Sequence, residues 1–386
     1  MTVMSSTPPS SAEPLSLEFS IAQRATLAAV APSSAQRDRV AASLQPYAPT
    51  APGDAPPDVL VAFDRPPDGE VGEHLGDTGD GLHTSWDGRG LRIVHEGAGC
   101  RLLFDGPEAA MLVELEHGFP WWRAWSAAVR PLLSIPIAAG GAVVTHASAV
   151  THEGRGIAIA GWSESGKTEV ALALCERGAR FVSDKWTALA DDGSLHAMPV
   201  PAGLRAWTVP HLPQLRRSLS TGQRARAAAG RAATGAIERV AGRTGGQALT
   251  AAFAAARGAA ALASRVSLSP AALGGDAEAP LRANLDLLVV LRATAGEPRA
   301  RELDTETACR RLLTTTAYER RALDALDARS RYCGAGAVPG HAGLVAREEE
   351  IMRRVLAGCR VVELAAPFPA DPRPAADAVL QQLRGA

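Results

Sequence analysis

The chain has 386 residues and a formal net charge of −1, with 46% hydrophobic residues, enough for a sizeable core, and only 4% aromatic ones. Near-neutrality removes any electrostatic case for nucleic acid or an anionic membrane as partner. Five scattered cysteines with no C-x-x-C pair argue against a disulfide framework or structural zinc and for a reduced compartment. No basic segment followed by an apolar core marks a signal peptide, and the most apolar stretch, Pro131 to Val144, holds two prolines and is too short for a bilayer. A soluble, cytoplasmic protein of two domains, or of one large domain with an insertion, is expected.

Residues 1–14 are rich in Ser and Pro and read as disordered. A β-rich N-terminal domain is expected over 15–120. Within it the Pro/Gly-rich runs 46–57 and 64–81 read as loops, and Asp58–Phe63 and Ala110–Leu115 as strands. Gly90–His95 and Gly99–Phe104 form a hairpin around a glycine turn. Trp121, Trp122 and Trp125 fall on a helix running towards Leu133. They form either a ligand platform or, as large aromatics mostly do, an anchor between domains. Gly141–Thr145 and Ala147–His152 are extended, with His146 between them.

A strand, Gly156–Ala160, then leads into Gly161-Trp-Ser-Glu-Ser-Gly166-Lys167-Thr168, an unbroken G-x-x-x-x-G-K-[ST] pattern, and Glu169–Cys175 is helical. Strand, glycine loop and helix together let successive backbone N–H groups surround a phosphate at the positive end of a helix. Gly161, Ser163, Glu164, Ser165, Gly166, Lys167 and Thr168 are the expected nucleotide-binding residues. Lys167 reaches the β/γ-phosphates and Thr168 ligates Mg²⁺. Of 40 basic Lys and Arg residues only two are lysine, Lys167 and Lys185, both at this loop and the strand after it.

Ala179–Ser183 is the next strand and ends at Asp184; Trp186–Ala190 and Ser194–Met198 form a hairpin. The Ala/Arg-rich stretch 211–265, with basic residues at Arg216, Arg217, Arg224, Arg226 and Arg231, reads as a mobile helical lid or insertion, or as a solvated surface helix. Leu285–Leu291 is a buried strand by its continuous apolar run, and Arg299–Leu303 a weaker one. Asp304-Thr-Glu-Thr307 starts a helix with Asp304 as its N-cap, continued by Ala308–Thr314. A helix at 346–357, the strand Arg360–Leu364 and a closing helix at 374–384 complete an α/β domain over 121–386.

The ligand edge of an open α/β sheet lies at the C-terminal ends of its strands, which places Asp184 within reach of Mg²⁺ or of an attacking hydroxyl as its base. Lys185 lies along the transferred phosphoryl group or pairs with Asp184. His146, on a strand beside the loop strand, is placed to hydrogen-bond to Asp184 and tune it. The catalytic candidates are therefore Asp184, His146 and Lys185, and the metal ligands Thr168 and Asp184.

His146, GWSESGKT, the helix EVALALCERGARFVSD and the aliphatic strand after it resemble the kinase domain of HPr kinase/phosphorylase. They also resemble the related kinases of bacterial peptide natural-product clusters, including those that modify lasso precursor peptides. The resemblance covers about 140–205 and, more faintly, VVELAAPFPADP. It implies an HPr-kinase-like nucleotide domain that uses ATP and Mg²⁺, with Lys167 and Thr168 as loop ligands, Asp184 as the catalytic base and His146 in the family's histidine position. Lys185 stands where the family has a second acid, and the glycine-rich C-terminal signature has no counterpart, so neither phosphorolysis nor an HPr substrate is implied.

The expected activity is transfer of the γ-phosphoryl group of ATP to a hydroxyl of a peptide, a protein serine or a small molecule. The competing readings are a nucleotide-binding module without catalysis and a kinase for an amino-acid-like metabolite. The phosphoryl acceptor and any homo-oligomer are left open.

Overall fold

A computed structural model describes residues 15–31, 33–51, 53, 55–66, 72–77, 81–104, 110–241, 256, 265–268, 273 and 282–385. The disorder expected for 1–14, and most of the second half of the Ala/Arg-rich stretch, lie outside the described residues. The fold is mixed α/β, with an eight-stranded sheet followed in sequence by a nine-stranded one.

The first sheet comprises β1 (Leu15–Ile21), β2 (Ala25–Ala31), β3 (Val59–Arg65), β4 (Glu73–Asp77), β5 (His83–Trp86), β6 (Leu91–His95), β7 (Ala98–Leu103) and β8 (Met111–Glu116). Its order is β1-β2-β3-β8-β7-β6-β5-β4. The β2–β3 and β3–β8 pairs are parallel, and α1 (Ser34–Ser43) lies in the connection between β2 and β3. The hairpin expected around Glu96-Gly97 is β6–β7, in register Leu91 to Leu102. The run 64–81, expected to be all loop, contains β4. This polar strand gains its order by pairing with β5, a contact that alternation of hydrophobicity does not reveal.

Trp121 opens a helix made of α2 (Trp121–Ala124), a π-helical turn (Trp125–Val129) and α3 (Arg130–Ala139). Pro131 offers no N–H and its ring crowds the carbonyl one turn back, a sufficient reason for the wide turn there. Trp121 packs on Phe63 at 5.7 Å and on Trp125 at 6.1 Å, but Trp122 is 60% exposed beneath the Arg123 guanidinium. The anchoring expected of three tryptophans is carried by two.

The second sheet comprises β9 (Ala142–Thr145), β10 (Ala147–His152), β11 (Arg155–Gly161), β12 (Arg180–Ser183), β13 (Thr187–Ala190), β14 (Ser194–Ala197), β17 (Arg282–Ala293), β18 (Arg299–Glu302) and β19 (Arg360–Ala366). A separate ribbon pairs β15 (Ala202–Leu204) with β16 (Val266–Leu268). The long strand β17 is the hub. Its first residues pair with β14, and the rest lies parallel to β11 on one side and to β19 on the other. Parallel strands at a sheet centre need cover on both faces, and the composition of β17 provides for it. Leu287, Val289 and Leu291 face a core shared with α4 (Lys167–Cys175) and the last helix, Arg373–Arg384, while Leu288 and Val290 belong to the core under Thr305–Tyr332 and Leu344–Ala357.

The Ala/Arg-rich stretch begins with α5 (Pro213–Ser218) and α6 (Thr221–Ala241). Contrary to the reading of its composition, it has a packed root: Leu212, Leu215, Leu219 and Ala227 are buried in the α4 core. The helix capped by Asp304, whose carboxylate accepts the Thr307 N–H at 2.8 Å, runs on to Tyr332, well past the expected end at Thr314. It continues as α7 (Thr305–Tyr332), followed by α8 (Leu344–Ala357) and α9 (Arg373–Arg384). Among the described residues no helix is long and apolar enough to cross a membrane.

Candidate functional site

The site forms where β11 ends. Gly161 is in register with Leu291 of β17, and a Cβ on Gly161 would lie 2.5 Å from the Leu291 carbonyl oxygen. Gly166 has φ +97°, and a Cβ there would lie 2.9 Å from the Phe368 ring. Both glycines are demanded by close approach and backbone conformation. The loop closes onto α4, leaving the first N–H groups of that helix without intrahelical acceptors, where an anion is favoured. Within the loop the Ser165 hydroxyl is buried and has no hydrogen-bond partner among the described residues. A loop of this shape, with an orphaned donor and a lysine at its helix end, fits a phosphate chain.

Lys167 is only 5% exposed. Its Nζ donates to the carbonyls of Gly161 at 3.0 Å and Trp162 at 2.6 Å, so the ammonium is folded back on its own loop. Burial brings its pKa down to about 8, against the pull of Asp184, Glu169 and Glu319. Ser163 and Glu164 lie on the exposed crest. The Glu164 carboxylate turns outward to Arg205 at 3.1 Å, leaving its backbone N–H as the group it can offer an anion. Arg205 also pairs with buried Glu169 at 3.5 Å.

Asp184 follows β12, an edge strand antiparallel to β10, which is itself antiparallel to β11; β12 therefore runs the same way as the loop strand and ends on the same side. The carboxylate is 3% exposed. Its Oδ1 accepts from Ser148 at 2.6 Å and from Thr168 at 2.7 Å, and its Oδ2 from the Gly203 N–H at 3.2 Å. The expected pair Thr168 and Asp184 is thus brought together. Two adjacent oxygens suit a hard divalent cation that keeps waters and substrate oxygens in its other positions. Among the described residues no group of three or more His, Cys, Asp or Glu side chains is arranged to hold a metal by itself.

His146 lies in the link between β9 and β10, one residue from the strand beside the loop strand. The hydrogen bond expected to Asp184 is not formed. Two protein hydroxyls and a backbone N–H already occupy Asp184, and the His146 Nδ1 lies 3.2 Å from the Oε1 of Glu319 on α7. The other oxygen of Glu319 accepts the Trp186 indole N–H at 3.1 Å. Glu319 escaped sequence reading because nothing local marks a single acid on a long charged helix.

Lys185 does not pair with Asp184. Its Nζ lies 4.1 Å over the Trp186 ring, and the Arg130 guanidinium lies 3.8 Å from the same ring. Although Lys185 is exposed, the protein around its stem holds its pKa below the usual lysine value, with Arg130 and Arg265 acting in the same direction. Its φ is +65°, and the Trp186 N–H reaches back to the Asp184 carbonyl at 2.7 Å. That is a γ-turn of the rare strained kind, in a class of conformation that clusters at functional sites.

Burial, reinforced by Lys167 and Lys185 and opposed by Glu319 and Asp184, lowers the His146 pKa to about 4. His196, on β14, is brought to about 4 by burial and by Arg24 and Arg282, against Asp192. Both are therefore neutral in the fold at pH 7 and gain protons mainly on unfolding as pH falls. Stability is full above about pH 6.5 and declines towards pH 4, by up to about 3 kcal/mol per histidine. Thermal unfolding followed from pH 7.5 to 4.5 should show this slope, and His196→Gln should flatten it. An unchanged slope in the variant would remove His196 from the account.

No protein-family model matches the chain, and no curated protein matches it.

Proposed function

We propose that the chain is an ATP-dependent kinase of HPr-kinase-like type, transferring the γ-phosphoryl group to a hydroxyl on a peptide, protein or small molecule. The observation that carries this reading is the Lys167–Thr168–Asp184 cluster at the mouth of a glycine loop with an orphaned Ser165 hydroxyl. The backbone N–H groups of Ser163 to Thr168 would hold the phosphates. Lys167 would leave its own carbonyls for phosphate oxygens, a charge-assisted exchange. Thr168 and Asp184 would hold Mg²⁺, which when bound neutralises charge on the phosphates and orients them. Lys185, exposed beside Asp184 and already positively charged, adds a cation where a second acid is absent.

The test is transfer from γ-labelled ATP, with Mg²⁺, to hydroxyl-bearing peptides and to free hydroxy amino acids. Labelled product supports the reading. ATP binding without product from any acceptor, or from water, supports a binding module instead. A pH series sharpens the binding arm. Lys167 loses its proton as pH rises through about 8 in the free chain, so ATP affinity should weaken above pH 8, approaching tenfold per pH unit. Affinity that stays flat from pH 7 to 9.5 would take Lys167 out of phosphate binding.

A further inference from the structure

The carboxylate facing His146 belongs to Glu319, whose position in the sequence lies far from the loop. We propose that Glu319 is a positioning residue that fixes His146 as its Nδ1–H tautomer, leaving Nε2 with its lone pair to take the proton of the acceptor hydroxyl. This rests on the kinase reading above.

Three observations carry it. First, a carboxylate oxygen at 3.2 Å repels a ring lone pair and attracts a ring N–H, so the approach of Glu319 Oε1 to His146 Nδ1 favours the proton on Nδ1. Second, the carboxylate is held from two sides. Its other oxygen accepts from Trp186, whose ring lies against Arg130 and Lys185, and one turn earlier on α7 the Thr316 hydroxyl meets that of Thr145, next to His146. Third, Asp184 has about four acceptor positions and three of them already face protein donors, which leaves it little room to take the proton of an acceptor hydroxyl. His146 has no hydrogen bond to Nε2 among the described residues.

In the step itself the acceptor oxygen bonds to the γ-phosphorus and gives its proton to Nε2. The bond from that phosphorus to the β–γ bridging oxygen breaks, and its electron pair leaves with ADP. The groups facing His146 are Glu319 on α7, Lys167 on α4, and Asp184 and Lys185 after β12. The triphosphate neutralises the two lysines, so the imidazole becomes more basic in the loaded site than in the free chain.

The experiment uses the full chain and Glu319→Gln. Trp186 can only donate, so the glutamine oxygen turns to it and the amide N–H₂ turns to His146. That inverts the tautomer with little change of shape, an error that costs orders of magnitude in hydrolases built on an acid–histidine pair. Nitrogen-15 NMR of the nucleotide-free chain should show Nδ1–H in the native protein and Nε2–H in the variant. Turnover should fall about 10–100-fold in kcat with ATP affinity unchanged. Glu319→Asp, which keeps the charge, should retain the native tautomer. An Nε2–H tautomer in the native chain, or one unmoved by Glu319→Gln, overturns the positioning role. An inverted tautomer with native kcat overturns the proton transfer to His146. A native chain that transfers nothing overturns the kinase reading and the proton transfer with it, and the tautomer still decides what Glu319 does.

Discussion

Asp184→Asn is expected to cut phosphoryl transfer by about 10²–10⁴-fold, the range for loss of a site carboxylate acting on charge or on a proton. The substitution keeps the volume, and one amide oxygen can still accept from Ser148 and Thr168, the two hydroxyls that meet Oδ1. The amide nitrogen then faces the Gly203 N–H, donor to donor, so the β15 end of the site loosens slightly. Negative charge beside Thr168 is the property lost. The Mg²⁺ concentration needed for half-maximal rate should therefore rise, while metal-free ATP binds as before. Wild-type turnover at saturating Mg²⁺ would show that the site does its chemistry without this carboxylate.

Lys167→Met is expected to abolish measurable turnover, with at least about a 10²-fold loss of ATP affinity, because a charged donor to the phosphates is replaced by an apolar chain of similar length. Methionine suits the test better than alanine because the position is 5% exposed and a truncated side chain would leave space in the loop. The carbonyls of Gly161 and Trp162 lose their donor in the free protein, so a small drop in melting temperature is expected in calorimetry. ATP affinity equal to that of the native chain would sink the phosphate-binding assignment of the loop. Collapse of the fold would direct the test to Lys167→Arg, which keeps the charge and changes the reach.

What sequence alone revealed was local. The strand into Gly161, the turn through Gly166, the helix from Lys167 and the acid at the end of the following strand all lie between Arg155 and Asp184, and each has its own chemical signature. The hub strand was legible because Leu287 to Leu291 are apolar on both faces. By contrast β2 is mostly alanine, which carries little β preference, and its order comes from pairing with β1 and β3, whereas β1 alternates apolar and polar residues from Leu15 to Ile21 as a half-buried strand does. Glu319 lies 135 positions beyond Asp184, and only the packing of α7 beside β9 makes it a partner of His146. The burial of Lys167 was hidden for a related reason: its cover comes from the shape of its own loop, which the motif names but does not draw.

The hub position of β17 bears on how the chain is made. Gly161 of β11 and its parallel neighbour Leu291 are separated by 130 positions (291 − 161), and β19 follows only after a further long helical stretch. At about 5–20 residues per second on the ribosome, β11 waits on the order of ten seconds for that neighbour. During this interval Ile157 and Ile159 have β10 on one edge and an open edge on the other. Long-range parallel pairing of this kind is slow to form and prone to association while it waits. The eight-stranded sheet, whose partners all lie between Leu15 and Glu116, is free to form first and to offer a preformed surface to α2 and α3.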